Sequence, residues 1–424
     1  MSKAKDVVVV GSSLSGFVVA LECAKLGLKV AIVADRIGVP KSPLADNDEG
    51  LRWLAEQLEG VTVVEHPPTP QLVVAHDGTQ RELPRESILG IPSSALSEAV
   101  IQIIGKGNAT KAYLDRIKPV LTIGKEKELG TLVEKRMGRA VLRVMVEPVV
   151  FELFGLLPDQ VEASVAAPGL NEALTRTGSL ANAVLALGEV WQKHTKRYEV
   201  TDLQQAIRKA CDFWQIELLD GESNDARVAQ LKKDARQIVV ADDIPDTGAV
   251  HNANFARWLE AAKPAVRESV TVQIDGTAAA LKPGLVAMVD DEKYGPVSVC
   301  ALPEQHLYKV CLAAREMGSE QRLIDAADIT RIFNKLHASI EDSTQLPAHS
   351  ALQATTIIRR SGIEISPTGT RGQENALIGI QAEISEIEGE KPVGLWLAGG
   401  DTSRAINQAK SLAVEVRRHL LGIA

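Results

Sequence analysis

The segment Gly11-Ser12-Ser13-Leu14-Ser15-Gly16 holds the residues of this chain best spaced for chemistry. It follows an unbroken β-branched run, Val7–Val10, and opens a helical pattern from Leu14 to Leu26. Gly27 stops that pattern, Lys29–Val33 resumes a strand, and Asp35 ends it 24 residues beyond Gly11. Strand, glycine turn, helix, strand and acid together form a cradle for a dinucleotide. Gly11 permits the tight turn, Gly16 lets the helix pack closely on the strand, and the free N–H groups of the helix N-terminus face a pyrophosphate. Asp35 is placed to accept from a ribose hydroxyl, and Arg36 beside it would suit a 2′-phosphate. Ser13 stands where the fingerprint expects its middle glycine, which narrows the backbone's approach but leaves a hydroxyl able to donate to phosphate. The predicted contacts are Gly11, Ser12, Ser13, Gly16, Asp35 and Arg36, with FAD, NAD or NADP as the ligand. A nucleotide-free α/β turn would use the same glycines.

Near the other end, Gly394-Leu395-Trp396-Leu397-Ala398 reads as a strand running into Gly399-Gly400-Asp401. A helix follows, with Ile406, Ala409, Ala413, Val416 and Leu420 on one face. A carboxylate at a strand end, backed by helical N–H groups, suits ribitol hydroxyls, phosphate or the flavin carbonyls. Gly399, Gly400 and Asp401 therefore join the predicted contacts and favour FAD over a nicotinamide cofactor. The plainer reading makes Asp401 or Ser403 a helix cap.

The elements that must position these residues follow from pattern. The 424 residues, 45% apolar and 24% charged, suit a two-domain globular chain, which disfavours wholesale disorder or a fibrous repeat. A net charge of −8 without a Lys/Arg block excludes an electrostatic footprint for nucleic acid. Cys23, Cys211, Cys300 and Cys311 lie far apart with no His at ligand spacing, so neither zinc nor an iron–sulfur cluster is expected. Buried thiols and the lack of a secretory signal fit a reducing, cytoplasmic setting. Arg143, Glu147, Pro148 and Glu152 interrupt the greasy stretch Val141–Leu157, which argues against a spanning helix and leaves peripheral membrane contact open.

The predicted fold class is α/β. A Rossmann-like nucleotide-binding domain is assembled from residues 1–92, 200–255 and 385–424, where the α/β patterning occurs. Residues 93–199 read as a helical lobe, with apolar spacing of three and four through Leu96–Ile104, Leu132–Val146 and Leu180–Trp191. Residues 256–384 carry short strands at Val270–Ile274, Leu285–Val289, Val297–Ala301 and Leu307–Leu312, a largely antiparallel sheet that completes the second domain. Asp202–Trp214 reads as a helix and Gln237–Val240 as a strand whose following loop, Ala241–Asp246, carries three aspartates.

In the middle of the chain, Leu132-Val133-Glu134-Lys135-Arg136-Met137-Gly138, Val146-Glu147-Pro148, Ser164, Ala167-Pro168 and Arg176-Thr177-Gly178-Ser179-Leu180 occur in a fixed order. With the two termini, they resemble the flavin amine oxidase superfamily, most closely its protoporphyrinogen/coproporphyrinogen oxidase branch. The resemblance covers Val7–Trp191 and Gly394–Leu420. It implies FAD as cofactor, a small-molecule substrate such as a porphyrinogen, hydride transfer to flavin N5 and O₂ as acceptor. It names no catalytic side chain, and no Ser-His-Asp set or histidine cluster supplies one.

The chain departs from the branch at several glycines. Gly38-Val39 replaces a Gly-Gly pair, Tyr198-Glu199-Val200-Thr201-Asp202 lacks another, and Arg404-Ala405 and Ser411-Leu412 stand where relatives face the flavin ring with bare backbone. Arg404 and Leu412 are therefore expected to crowd or recharge that space. The losses motivate an alternative reading, a non-catalytic or flavin-free homologue that binds a tetrapyrrole or a partner protein.

Overall fold

The computed structural model describes residues 5–39, 44, 48–66, 70–119, 127–194, 196–220, 226–244, 253–274, 281–303, 306–317, 319–340, 356–367, 369–370, 372–387 and 389–422. The chain divides into two compact units. The first comprises Met1–Pro68, Lys193–Pro264 and Gly372–Ala424, and the second comprises Thr69–Gln192 and Ala265–Arg371.

The first unit is built on a five-stranded parallel sheet of β1 (Val7–Val10), β2 (Val30–Val33), β3 (Glu217–Leu219), β4 (Gln237–Ala241) and β5 (Lys391–Val393), in the order β5-β4-β1-β2-β3. Its central strand β1 is four valines, each at most 2% exposed, because both faces of the sheet are covered. Val7 and Val9 join Phe17, Val18 and Leu21 of α1 (Leu14–Ala24), while Val8 and Val10 pack with Val33 on the opposite face. Leu51 and Leu54 of α2 (Gly50–Gln57) and Ile406, Ala409, Leu412 and Ala413 of a long C-terminal helix complete the core. An antiparallel pair, Thr62–His66 with Arg197–Thr201, lies outside this sheet.

The second unit has two cores. A helical lobe buries Val100, Ile103, Leu132, Val146, Val150, Leu170 and Val184, among others. A six-stranded antiparallel sheet, whose longest strands are Ala265–Ile274 and Thr356–Ile365, is backed by the helix Ala326–Ala338 through Ile329, Ile332, Phe333 and Leu336. Residues 70–92, grouped by pattern with the nucleotide-binding domain, belong to this second unit. Leu72 bridges to Leu285, and Leu72 and Val73 are buried in the unit's two cores.

The run Leu132–Val146 is two elements rather than one helix. Leu129–Met137 closes at Gly138, whose φ of +92° stops it, and Val141–Val146 forms a π-helical stretch leading into Glu147–Phe154. Pro148 sits in the first turn of that last helix, where the π-helical stretch gives way to it. Arg136 is the lobe's polar centre. It donates to the Asp115 carboxylate at 2.5 Å and to the carbonyls of Asp115 and Gly178 at 3.0 and 2.9 Å. Asp115 in turn accepts from Ala181 N at 3.1 Å, and Ser179 caps the helix Leu180–His194 through Asn182 N. Among the described residues, no helix is long and apolar enough to cross a membrane.

Candidate nucleotide site

The Gly11–Gly16 turn joins β1 to α1, and close approach dictates both glycines. Gly11 has φ +118°, and a Cβ on it would lie 2.3 Å from the Ala241 carbonyl oxygen and 2.4 Å from Asp242 Oδ1. A Cβ on Gly16 would lie 2.3 Å from Ala241 Cβ and 2.9 Å from Val9 Cγ1, so α1 is pressed against both β1 and β4. Ser12 is exposed at the tip, and its carbonyl accepts from Gly38 N at 2.6 Å. Asp35 and Arg36 are exposed just beyond β2.

Ser13 closes the turn. It is 1% exposed and caps α1, its hydroxyl oxygen accepting from Ser15 N at 3.1 Å. The same hydroxyl donates to Asp243 Oδ1 at 2.8 Å, and that carboxylate oxygen also accepts from Leu395 N at 3.0 Å. Burial pushes the Asp243 carboxyl above its ordinary value, and the bonds from Ser13 and Leu395 pull the other way. A carboxylate therefore lies against the cap of α1, on the side where the fingerprint expects phosphate.

The C-terminal contacts take a different form from the predicted strand. β5 ends at Val393, and residues 394–400 are turns. Gly394, at φ +152°, backs onto the Asp242 carbonyl, leaving 2.1 Å for a Cβ. Leu395–Ala398 looks strand-like because it is apolar, but Trp396 is buried edge-on against Phe255, with ring centres 5.4 Å apart. Gly399 and Gly400 turn the chain at φ +63° and +80°. Asp401 then caps α4 (Thr402–Leu421), accepting from Arg404 N at 2.9 Å. Its carboxyl is raised, first by burial and then by Asp48 against the pull of the Arg404 N–H, while burial lowers the nearby Arg197 guanidinium and Asp401 raises it.

Arg404 is held by an ion pair. Its Nη1 pairs with both oxygens of Glu374 at 3.0 and 3.2 Å, on α3 (Gln373–Glu386). Leu412 is core. Both positions that were expected to crowd a flavin also border an open space within the first unit. A cavity of about 630 Å³ between α3 and α4 is lined by Leu377, Ile378, Leu397, Arg404 and Leu412.

The cradle is only in part shaped for the pyrophosphate of FAD. Its glycines, cap and strand–turn–helix geometry suit a dinucleotide, but Asp242 and Asp243 bring two carboxyl groups to the turn. A phosphate charge 4 Å from one carboxylate is opposed by about 4 kcal/mol at the effective dielectric of a protein surface. The residues present do not fit the group in this arrangement. The pattern marked the aspartates of the 241–246 loop without placing them at this turn. Asp243 comes to Ser13 because β4 neighbours β1, which no local spacing reveals.

Among the described residues, no group of His, Cys, Asp or Glu could hold a metal ion. All four cysteines are free thiols, and burial pushes Cys23, Cys211 and Cys311 up to about 12, which leaves them unreactive.

No family model and no curated protein matches the chain. Solved structures do. A protein provisionally named protoporphyrinogen oxidase from Exiguobacterium sp. 255-15 is 14% identical over 100% of both chains, with a TM-score of 0.64. Cyclohexylamine oxidase from Brevibacterium oxydans IH-35A is 14% identical over 99% of this chain and 100% of its own, at 0.53. Reduced UDP-galactopyranose mutase is 12% identical over 99% and 96%, at 0.55. The chain shares, along its whole length, the mixed α/β fold of these structures.

Proposed function

We propose that this chain is a flavin-free relative of the FAD oxidases, keeping their fold as a scaffold that binds a small molecule of tetrapyrrole type. The observation that carries the reading is the Asp243 carboxylate on the Ser13 cap, on the side of α1 where phosphate belongs. The ligand class comes from the ordered matches between Leu132 and Leu180 and from the likeness to the Exiguobacterium protein.

The test is the visible spectrum of the purified protein, followed by titration with FAD and with coproporphyrin, read by quenching of tryptophan fluorescence. The expected protein is colourless, takes up no FAD and binds the porphyrin at micromolar concentration. A yellow preparation with one FAD per chain would overturn the reading.

A second reading is an FAD-dependent oxidoreductase acting on a porphyrinogen or an amine. Full-length likeness to oxidases and the close-packed glycines Gly11 and Gly16 favour it. Oxygen consumption with coproporphyrinogen, protoporphyrinogen or cyclohexylamine in the presence of added FAD separates the two.

A further inference from the structure

Asp243 is held by two groups far away in sequence, Ser13 and Leu395, 230 and 152 residues distant. It is therefore no local turn device of the kind aspartates form with backbone two or three residues on. Three segments meet at this one carboxylate: the end of β4, the cap of α1 and the turn that follows β5. The donors it engages, a hydroxyl at a helix N-terminus and a backbone N–H, are of the type that bind phosphate oxygens elsewhere.

We infer that Asp243 is an internal substitute for the nucleotide phosphate, a latch that ties β4, α1 and the C-terminal turn together and shuts the dinucleotide cradle by occupying its anion position. The inference rests on the flavin-free reading and says what enforces it. Its physical basis is competition for donors. A phosphate entering at α1 must take the Ser13 hydroxyl from Asp243 and then lie beside the carboxylate it has displaced. Substituting that carboxylate leaves the glycine turn, the cap and Asp35 in place and removes the competitor. Latent nucleotide binding is the consequence.

The experiment compares wild type, Asp243→Asn and Asp243→Ser by calorimetric titration with ADP and FAD and by thermal shift. Wild type is expected to show no binding at millimolar ADP. Each variant is expected to gain at least 100-fold, and to be stabilised by ADP where wild type is not. Adding Asp35→Ala to Asp243→Asn should reverse the gain at least tenfold, because the acid beyond β2 then no longer accepts from ribose. Should neither Asp243 variant fold, Asp243→Ala carries the test, since it removes the acid and keeps the Ser13 hydroxyl. At least a tenfold gain in ADP affinity is then expected. Folded variants that bind no more ADP than wild type would overturn the latch while leaving the flavin-free reading intact. A wild type that holds FAD with Asp243 unaltered would overturn both.

Discussion

Gly50 and Ser403, 353 residues apart, meet with no room for a methyl group between them. The Gly50 N–H donates to Ser403 Oγ at 2.8 Å, and a Cβ on Gly50 would fall 2.4 Å from the Ser403 carbonyl oxygen. Asn407 Nδ2 adds a bond to the Asp48 carbonyl at 2.8 Å, so the chain entering α2 is tied to the first two turns of α4. Gly50→Ala should cost about 1–3 kcal/mol by overpacking, and Ser403→Ala a similar amount by leaving a buried N–H unpaired. Urea denaturation checks both. A stability of Gly50→Ala within about 0.5 kcal/mol of wild type, the usual range for surface changes, would show that the two helices do not depend on this contact.

At the nucleotide turn, Gly11→Ala is predicted to destabilise the protein itself, apart from any effect on a ligand. The substitution combines a positive φ with a clash against the Ala241 carbonyl. It should cost about 1–3 kcal/mol in backbone strain alone. Thermal melts without nucleotide decide it, and an unchanged midpoint would mean that the turn can open at no cost.

In the helical lobe, Asp115→Asn should be severe. The Arg136 guanidinium is 8% exposed and would keep its charge after losing its only carboxylate partner among the described contacts. Breaking such a buried pair costs about 3–5 kcal/mol. Arg136→Met with Asp115→Leu should recover part of that loss. Failure of the double variant to exceed the single one in urea would place the stabilisation in the carbonyl bonds of Arg136 instead.

Acid sensitivity is predicted for the second unit. The Arg331 guanidinium, at 2.8 Å, first of all holds the Asp291 carboxyl below its ordinary range. At Asp328, burial opposes ionisation, but bonds from Tyr294, Lys293, the Asp325 N–H and Arg331 outweigh it and depress that carboxyl strongly. Groups depressed in the folded state contribute stability that is complete above the unfolded value, about pH 4, and lost as pH falls toward the folded values. Urea midpoints from pH 7 to pH 3 should therefore fall more steeply below pH 5 for wild type than for Arg331→Gln. Parallel curves would remove these carboxylates from the acid response.

Local pattern carried the reading of β1, the glycine turn and α1, because those elements are fixed by neighbours in sequence. A β-branched run, two glycines with no space for a side chain and an apolar helix face say the same thing at three scales. Ser13 already stood out as the irregular letter in the fingerprint, but its partner Asp243 depends on strand order and could not be read locally. The run from Gly394 to Ala398 misled for the opposite reason. Its apolar residues serve a buried turn rather than a strand, and only the contact of Gly394 with the Asp242 carbonyl separates the two. The ion pair of Arg404 with Glu374 joins two helices distant in pattern and could not be read locally either. The hairpin Leu72–Val74 with Gln80–Glu82 closes within its own short stretch of chain, though nothing within it names the core it joins.

The first unit is drawn from three separated stretches of chain, and the order in which a ribosome delivers them sets a problem for the newborn protein. β1, four valines that need cover on both faces, emerges first, while β5 and α4 come roughly 380 residues later, a delay of about 20–80 s at ordinary synthesis rates. The stretches of the second unit end at Arg371, before either arrives. For that interval the apolar sides of α1 and α2 that α4 covers stay bare, so nascent chains of this protein should be clients of a holding chaperone until α4 is released.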